Sequence, residues 1–360
     1  MTISQRFVST PFASGVVGSL PRPLMVREML PEAPGPASGE AAHSPRMDAA
    51  VNYAIAVQEQ AGLDLVSDGE WRRHAYTHIV ADIATGFEVD VREEPRRWGI
   101  SIAEPMEVVQ PGLIAEEARF LVQATEKMTK VCVPSPYLLG VRMWEQSVSS
   151  DAYPTRDQFI DDLVPILHDE LLALQDIGIT IVQVDEPHLC VLVDPGYRDS
   201  FENPQYEMDL AASKINEMLD GINNVQTALH LCRRNWGRRG WGAEGGYEPI
   251  IETMKKIQVD QYVMEFSIPV AGDVAILKEL PDDKLIGLGS VECRFETIDT
   301  PDEIVKRVEN AMNHVDAERL SLNPDCGFAP GLVVDMPLEE PYQKLKNEAE
   351  ASRRLRDKYA

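Results

Sequence analysis

Residues 158–187 read QFIDDLVPILHDELLALQDIGITIVQVDEP. From Gln158 to Ile177 apolar residues recur every three to four positions, the period of a helix with one buried face. Thr180–Val184 (TIVQV) then switches to a short β-rich run with no polar alternation. Such a strand is covered on both faces, as in a parallel sheet flanked by helices. Two acidic residues, Asp185 and Glu186, follow at once. One helix, one buried strand and a chemically loaded strand end make a unit, and the unit repeats along the chain.

Further candidate strands lie at Gly15–Ser19, Leu63–Ser67, Lys130–Pro134, Val225–Leu231, Asp260–Phe266, Lys284–Gly289 and Arg319–Asn323. Helical periodicity covers Met47–Ala61, Tyr206–Leu219, Pro301–Val315 and Leu338–Tyr359. Eight strands alternating with helices predict a single α/β (β/α)8 TIM barrel over residues 1–360, with its site at the C-terminal ends of the strands. A doubly wound open sheet is the alternative. No G-x-G-x-x-G follows any candidate strand, which weakens its dinucleotide-binding form. A flexible loop is expected near residues 31–46 and an Arg/Trp/Gly-rich loop at 233–247. No internal repeat or low-complexity tract is present.

Composition agrees with a large folded core and excludes global disorder. The 360 residues are 44% hydrophobic and 26% charged, enough to fill a large core. Asp and Glu total 59 against 34 Lys and Arg, a formal charge of −25. That field repels phosphate backbones and anionic lipid, so neither nucleic acid nor a membrane surface is an expected partner. The N-terminal stretch lacks the pattern of a secretory signal, and no apolar run approaches a bilayer span. Five scattered cysteines fit a reducing compartment, so a cytoplasmic location is expected.

The strand ends carry the chemistry. His230 and Cys232 form an H-x-C pair whose i, i+2 spacing puts both side chains on one side of a strand. Glu265 closes the apolar run VMEF, and Cys326 sits in the turn NPDCGF. One His, two Cys and one Glu offer the nitrogen, sulfur and oxygen donors that suit tetrahedral Zn2+. Taken singly, each has a plainer reading, since a lone cysteine is usually a small core residue. Cys132, Cys190 and Cys293 have no comparable companions and are expected to pack.

H-x-C, then Glu after an apolar strand, then N-P-D-C-G resembles the catalytic domain of the cobalamin-independent methionine synthase family. VVGSLPRP, SDGEWRR and QVDEP are similar to that family's substrate-binding blocks, in the same order, so the likeness runs from about Val16 to Phe328. The resemblance implies a (β/α)8 barrel whose Zn2+, held by His230, Cys232, Glu265 and Cys326, activates a thiol for alkylation. It implies a zinc-dependent S-methyltransferase making methionine from L-homocysteine. Glu70 and Asp185 would hold the substrate ammonium, and Ser19 its carboxylate. DGE and DEP read equally as turn and cap residues on local grounds.

The chain also departs from the family pattern. Members of full length carry two tandem barrels, and the missing one helps bind a folate donor. The methyl donor therefore stays open between a methylated folate, methylcobalamin and a small methylated compound. Where the family places a catalytic His, this chain has VECRF, with Arg294 near that place as the candidate replacement. Arg233, Trp236 and Arg238 in the 233–247 loop are candidates to grip an anionic or planar donor, or else belong to a solvated loop. Two other activities fit related platforms: an epoxyalkane:coenzyme M transferase-like alkyl transfer, and a metal-free uroporphyrinogen decarboxylase-like lyase. The first would need cations for a sulfonate, which Arg72, Arg73, Arg294 or the arginine loop would have to supply.

Overall fold

The computed structural model describes all residues except 1–7, 9, 37–40, 94–95 and 332–335, with only the backbone of 91–93 and 96–98. The strands are β1 (Leu65–Val66), β2 (Phe87–Glu93), β3 (Arg96–Ile102), β4 (Met128–Pro134), β5 (Ile181–Asp185), β6 (Gln226–Leu231), β7 (Gln261–Glu265), β8 (Leu285–Val291) and β9 (Leu320–Pro324). Seven of them form one curled parallel sheet in the order β1-β4-β5-β6-β7-β8-β9. The interior strands are buried along their length, as their continuous apolar runs require. β2 and β3 form a separate antiparallel hairpin.

The expected first strand is a finding in itself. Instead of a strand over Gly15–Ser19, Ser14 bridges Leu322 of β9 and Gly15 bridges Leu65 of β1, both in parallel. Beyond that point side chains take over the ladder. Val16 O accepts from Lys130 Nζ at 2.8 Å, Val17 O from Gln183 Nε2 at 3.1 Å and Gly18 O from Ser67 Oγ at 3.0 Å. The segment still closes the curl between β9 and β1, in the place a barrel's first strand takes.

Helices pack outside the sheet and begin where local chemistry starts them. Thr155 with Gln158 and Thr300 with Glu303 form capping boxes on helices Arg156–Gln175 and Pro301–Ala311. Ser44 caps helix Pro45–Ala61, so the loop expected over 31–46 ends two residues early. Its described part is anchored, with Gly35 N donating to Asp82 Oδ1 at 2.8 Å; residues 37–40 lie outside the described ones. Among the described residues no helix is long and apolar enough to cross a membrane.

Gly289 on β8 marks a tight approach of β7 and β8. A Cβ there would lie 2.6 Å from Met264 O and 2.9 Å from Glu265 Cα, and would overlap Asp325 Oδ1. Two of those atoms are backbone and cannot swing away. Gly289→Ala is therefore expected to destabilise the protein by about 3 kcal/mol, read from urea unfolding, by forcing β7 and β8 apart. An unchanged midpoint would contradict this packing.

Candidate metal and substrate site

His230 is the penultimate residue of β6 and Cys232 lies just past the strand, while Cys326 lies two residues beyond β9. Their ligand atoms all fall within 4.8 Å of one another, and all three residues are buried. His230 Nδ1 is 3.3 Å from Val263 O, the kind of outer contact that fixes an imidazole's orientation. Its Nε2 is buried without a hydrogen-bond partner. The Cys232 sulfur is its electrostatic neighbour, and a buried imidazole nitrogen drawn this close to two sulfurs is a donor set that a shared cation would satisfy. The Cys326 thiol donates to Cys232, and with His230 alongside this holds the Cys232 thiol well below the usual range. The same bond, with burial, pushes Cys326 well up. The donors present thus suit a thiophilic divalent metal.

Glu265 stands differently from expectation. Its carboxylate is not among the three converging donors. Oε1 accepts from Arg294 Nη2, while Oε2 accepts from the Arg233 backbone N–H at 2.8 Å and faces Arg233 Nη1 at 3.4 Å. All three side chains are fully buried. Arg294 also donates to Arg234 O at 2.9 Å and does not line the cavity. It therefore braces Glu265 and the next loop rather than reaching a reacting group. Arg233 likewise faces inward, donating to Gly245 O and Ala271 O and stacking on Tyr247 at 4.4 Å. A guanidinium so engaged has no donor left for a ligand, which corrects the donor-binding expectation for Arg233. Arg238 and Trp236 do line the cavity. Arg238 is ion-paired with Glu340 at 2.6 Å, and Trp236 is 46% exposed.

The cavity of about 680 Å³ runs over the three donors to Ser19, Glu70 and Asp185. Glu70 sits at φ +56°, a conformation that costs about 1 kcal/mol or more for a side-chain-bearing residue and recurs at functional sites. Its Oε2 is buried without a partner. Burial pushes its carboxyl up to about 7, helped by Asp185 and opposed by Arg73. Asp185 rises to about 6 through burial, opposed by His230 and by the 2.8 Å hydrogen bond from Gln183. The Cys132 thiol joins these two carboxylates within 4.8 Å and donates to Val17 O, so this cysteine packs against the substrate wall as well as the core. Ser19 Oγ accepts from Ala329 N at 3.3 Å, tying that wall to the turn holding Cys326.

Other residues of the cavity escaped the sequence reading. Tyr76 and His78 follow SDGEWRR in HAYTH, an alternation that was a usable signal. Arg142 lies in helix Pro136–Met143 and offered none. His188 and Arg234, adjoining known motifs, also line the space.

Comparison with known proteins places this geometry. The model of the cobalamin-independent synthase catalytic domain matches residues 12–353. The chain is similar to a methionine synthase of Pyrococcus abyssi, 29% identical over 355 residues, covering 95% of this chain and 92% of that protein. Its fold matches the B12-independent methionine synthase of a Shewanella species in complex with selenomethionine (TM-score 0.74, 21% identity, 97% of this chain and 98% of that one). It also matches a putative vitamin-B12-independent methionine synthase of Listeria monocytogenes (TM-score 0.70, 22% identity, 97% and 99%).

Proposed function

Because the chain belongs to the cobalamin-independent synthase catalytic-domain family and is a methyltransferase of the methionine synthase type, we propose that it methylates the sulfur of L-homocysteine to give methionine, with Zn2+ at His230, Cys232 and Cys326. The observation that carries this reading is the convergence of the buried His230, Cys232 and Cys326 ligand atoms within 4.8 Å of one another, in the same cavity as Glu70, whose Oε2 is buried without a hydrogen-bond partner. When bound, Zn2+ would hold the substrate sulfur as the nucleophilic thiolate at neutral pH, where a free thiol is mostly protonated. Glu265 would supply the fourth ligand. Its carboxylate, held by Arg233 and Arg294 and outside the three converging donors, would be a weak and exchangeable one. Glu70 and Asp185 hold the ammonium, and Ser19 the carboxylate.

Two observations weigh against the other activities. Glu70 and Asp185 line the cavity where a coenzyme M-type acceptor has no ammonium to offer, and Arg72, Arg73 and Arg294 are committed to Asp48, Glu117 and Glu265, which leaves only Arg142, Arg234 and the exposed Arg239 to meet a sulfonate. A metal-free lyase leaves the His–Cys–Cys cluster without a purpose. Zinc-edge X-ray absorption with and without L-homocysteine tests the proposal. An added sulfur neighbour at about 2.3 Å supports it; stoichiometric zinc with no change rejects homocysteine, and absence of zinc rejects the centre.

The carboxylate wall gives a pH prediction. L-Methionine carries the same ammonium but no thiol to titrate, so its affinity isolates Glu70 and Asp185. Both must be ionised to bind it, and their raised pKa values of about 7 and about 6 set the window. Affinity is expected to fall by about tenfold or more between about pH 8 and pH 5.5, by calorimetry. Glu70→Gln should remove the upper part of that slope. The linkage to folding has the opposite sense: the native state binds the Glu70 proton more tightly than the unfolded chain, so stability is lost as pH rises through about 4.5 to 7. Glu70→Gln is expected to gain about 2–3 kcal/mol of stability near pH 8 and none near pH 4.

A further inference from the structure

Among the described residues three cavity arginines have no acidic partner, the exposed Arg142 and Arg239 and the half-buried Arg234, and of these Arg142 and Arg234 meet at His188. Arg142 Nε lies 3.3 Å from His188 Nε2, and Arg234 Nη2 lies 3.2 Å from His188 Nδ1 and 3.1 Å from Tyr197 Oη. Their other contacts are aromatic: Arg142 over Tyr76 at 5.5 Å and Arg234 over Tyr197 at 5.3 Å. No carboxylate lies within 4 Å of either guanidinium among the described residues, and Arg234 Nε is buried without a hydrogen-bond partner. In a chain with 59 carboxylates and 34 Lys and Arg, this pairing of cation with neutral groups is conspicuous. The neighbouring cavity arginine, Arg238, does have its carboxylate in Glu340.

The arrangement is built into the backbone. Arg234 holds φ +65°, and its carbonyl is gripped by both Arg294 Nε at 3.2 Å and Arg294 Nη2 at 2.9 Å. That left-handed residue follows the H-x-C strand end and turns its side chain toward His188. Burial and the two guanidiniums push His188 well below its ordinary value, so the imidazole adds no charge and stands as a spacer between the cations. Two guanidinium forks lining one cavity, neither satisfied by an acid, match the geometry of a bound oxyanion.

We propose that Arg142 and Arg234, spaced by His188, form an oxyanion subsite that holds a carboxylate or phosphate group of the methyl donor. The assignment rests on the methyl-transfer reading of this cavity. The other source of the same chemistry is the carboxylate of the amino acid itself. The amino acid's ammonium has Glu70 and Asp185, and its carboxylate has Ser19, so the arginine pair is left for the second substrate.

The test uses the metal-loaded protein and three probes: inorganic phosphate followed by 31P line broadening, L-homocysteine, and 3-aminopropane-1-thiol, which is homocysteine without its carboxylate. Arg142→Met and Arg234→Met are each expected to raise the phosphate Kd about tenfold or more, since each deletes charge-assisted hydrogen bonds. The ratio of homocysteine to aminothiol affinity should stay as in the wild type. Phosphate binding that survives both substitutions overturns the subsite. A ratio that collapses toward one assigns the arginines to the amino acid and overturns the donor assignment. Wild-type protein that ignores L-homocysteine defeats the methyl-transfer reading instead, while the phosphate titration still judges the subsite. If Arg234→Met fails to fold by circular dichroism, Arg234→Lys keeps the charge, loses the fork and is expected to show an intermediate loss.

Discussion

Replacing Cys326 by Ser or His230 by Ala is expected to drop bound zinc from about one ion per chain to below about a tenth, and methyl transfer by on the order of a thousandfold. Each of the three converging donors comes from a strand end that no local motif can replace, and its loss leaves only two of them beside the weakly donating Glu265. Cys293→Ser is the control. It is equally buried, it lies outside the cluster, and it should retain its metal. Elemental analysis of the purified variants gives the result directly. Full zinc in Cys326→Ser would remove this cysteine from the centre.

Glu265→Ala is expected to cost about 3–5 kcal/mol in urea unfolding, more than removing any single apolar contact near the site. The reason is what remains: Arg233 and Arg294 stay fully buried, one beside the other, with their shared counter-charge gone. Glu265→Gln keeps the shape and some of the hydrogen bonds, so its stability cost should be smaller. Its functional cost should not be. A neutral amide is a poorer metal ligand, and turnover is expected to fall while His230, Cys232 and Cys326 keep most of the zinc. Full zinc with full turnover in Glu265→Gln would end the role of exchangeable ligand.

Most of the parallel sheet was legible because each strand is a continuous apolar run ending in polar residues. Thr180–Val184 against the observed Ile181–Asp185 is typical of the agreement. The Gly15–Ser19 segment misled because its apolar residues are buried like a strand's while Lys130, Gln183 and Ser67 supply its hydrogen bonds. No local rule foretells donors contributed from 49 to 166 positions away. The hairpin of β2 and β3 alternates in FEVDV but has no helix between its strands, so it stands outside the strand–helix repeat from which the fold is legible.

The site divides along the same line. His230, Cys232 and Cys326 were visible as strand-end donors, and Glu70 and Asp185 as strand-end acids. Partnership was not visible. Glu265 looks the same in the sequence whether it faces a metal or a guanidinium, and only the approach of Arg294, 29 residues away, decides it. Arg142 carries no motif and gains its meaning from His188, 46 residues on.

The bridged seam has a consequence for how the molecule is made. Gly15 N is held by Glu348, Phe12 O by Ser352, and Asp64 by Arg356, all from the helix Glu339–Tyr359. Ser19 meets Phe328 and Ala329 across the same seam. The first and last parts of the chain must therefore find each other, over 300 positions apart, before Cys326 is fixed opposite His230 and Cys232. Loop closure on that scale belongs to the late stages of folding. A ribosome-bound chain that has not yet released this helix holds the H-x-C pair with its third donor, the Cys326 sulfur, unplaced. Metal uptake at the proposed centre would then report completed assembly.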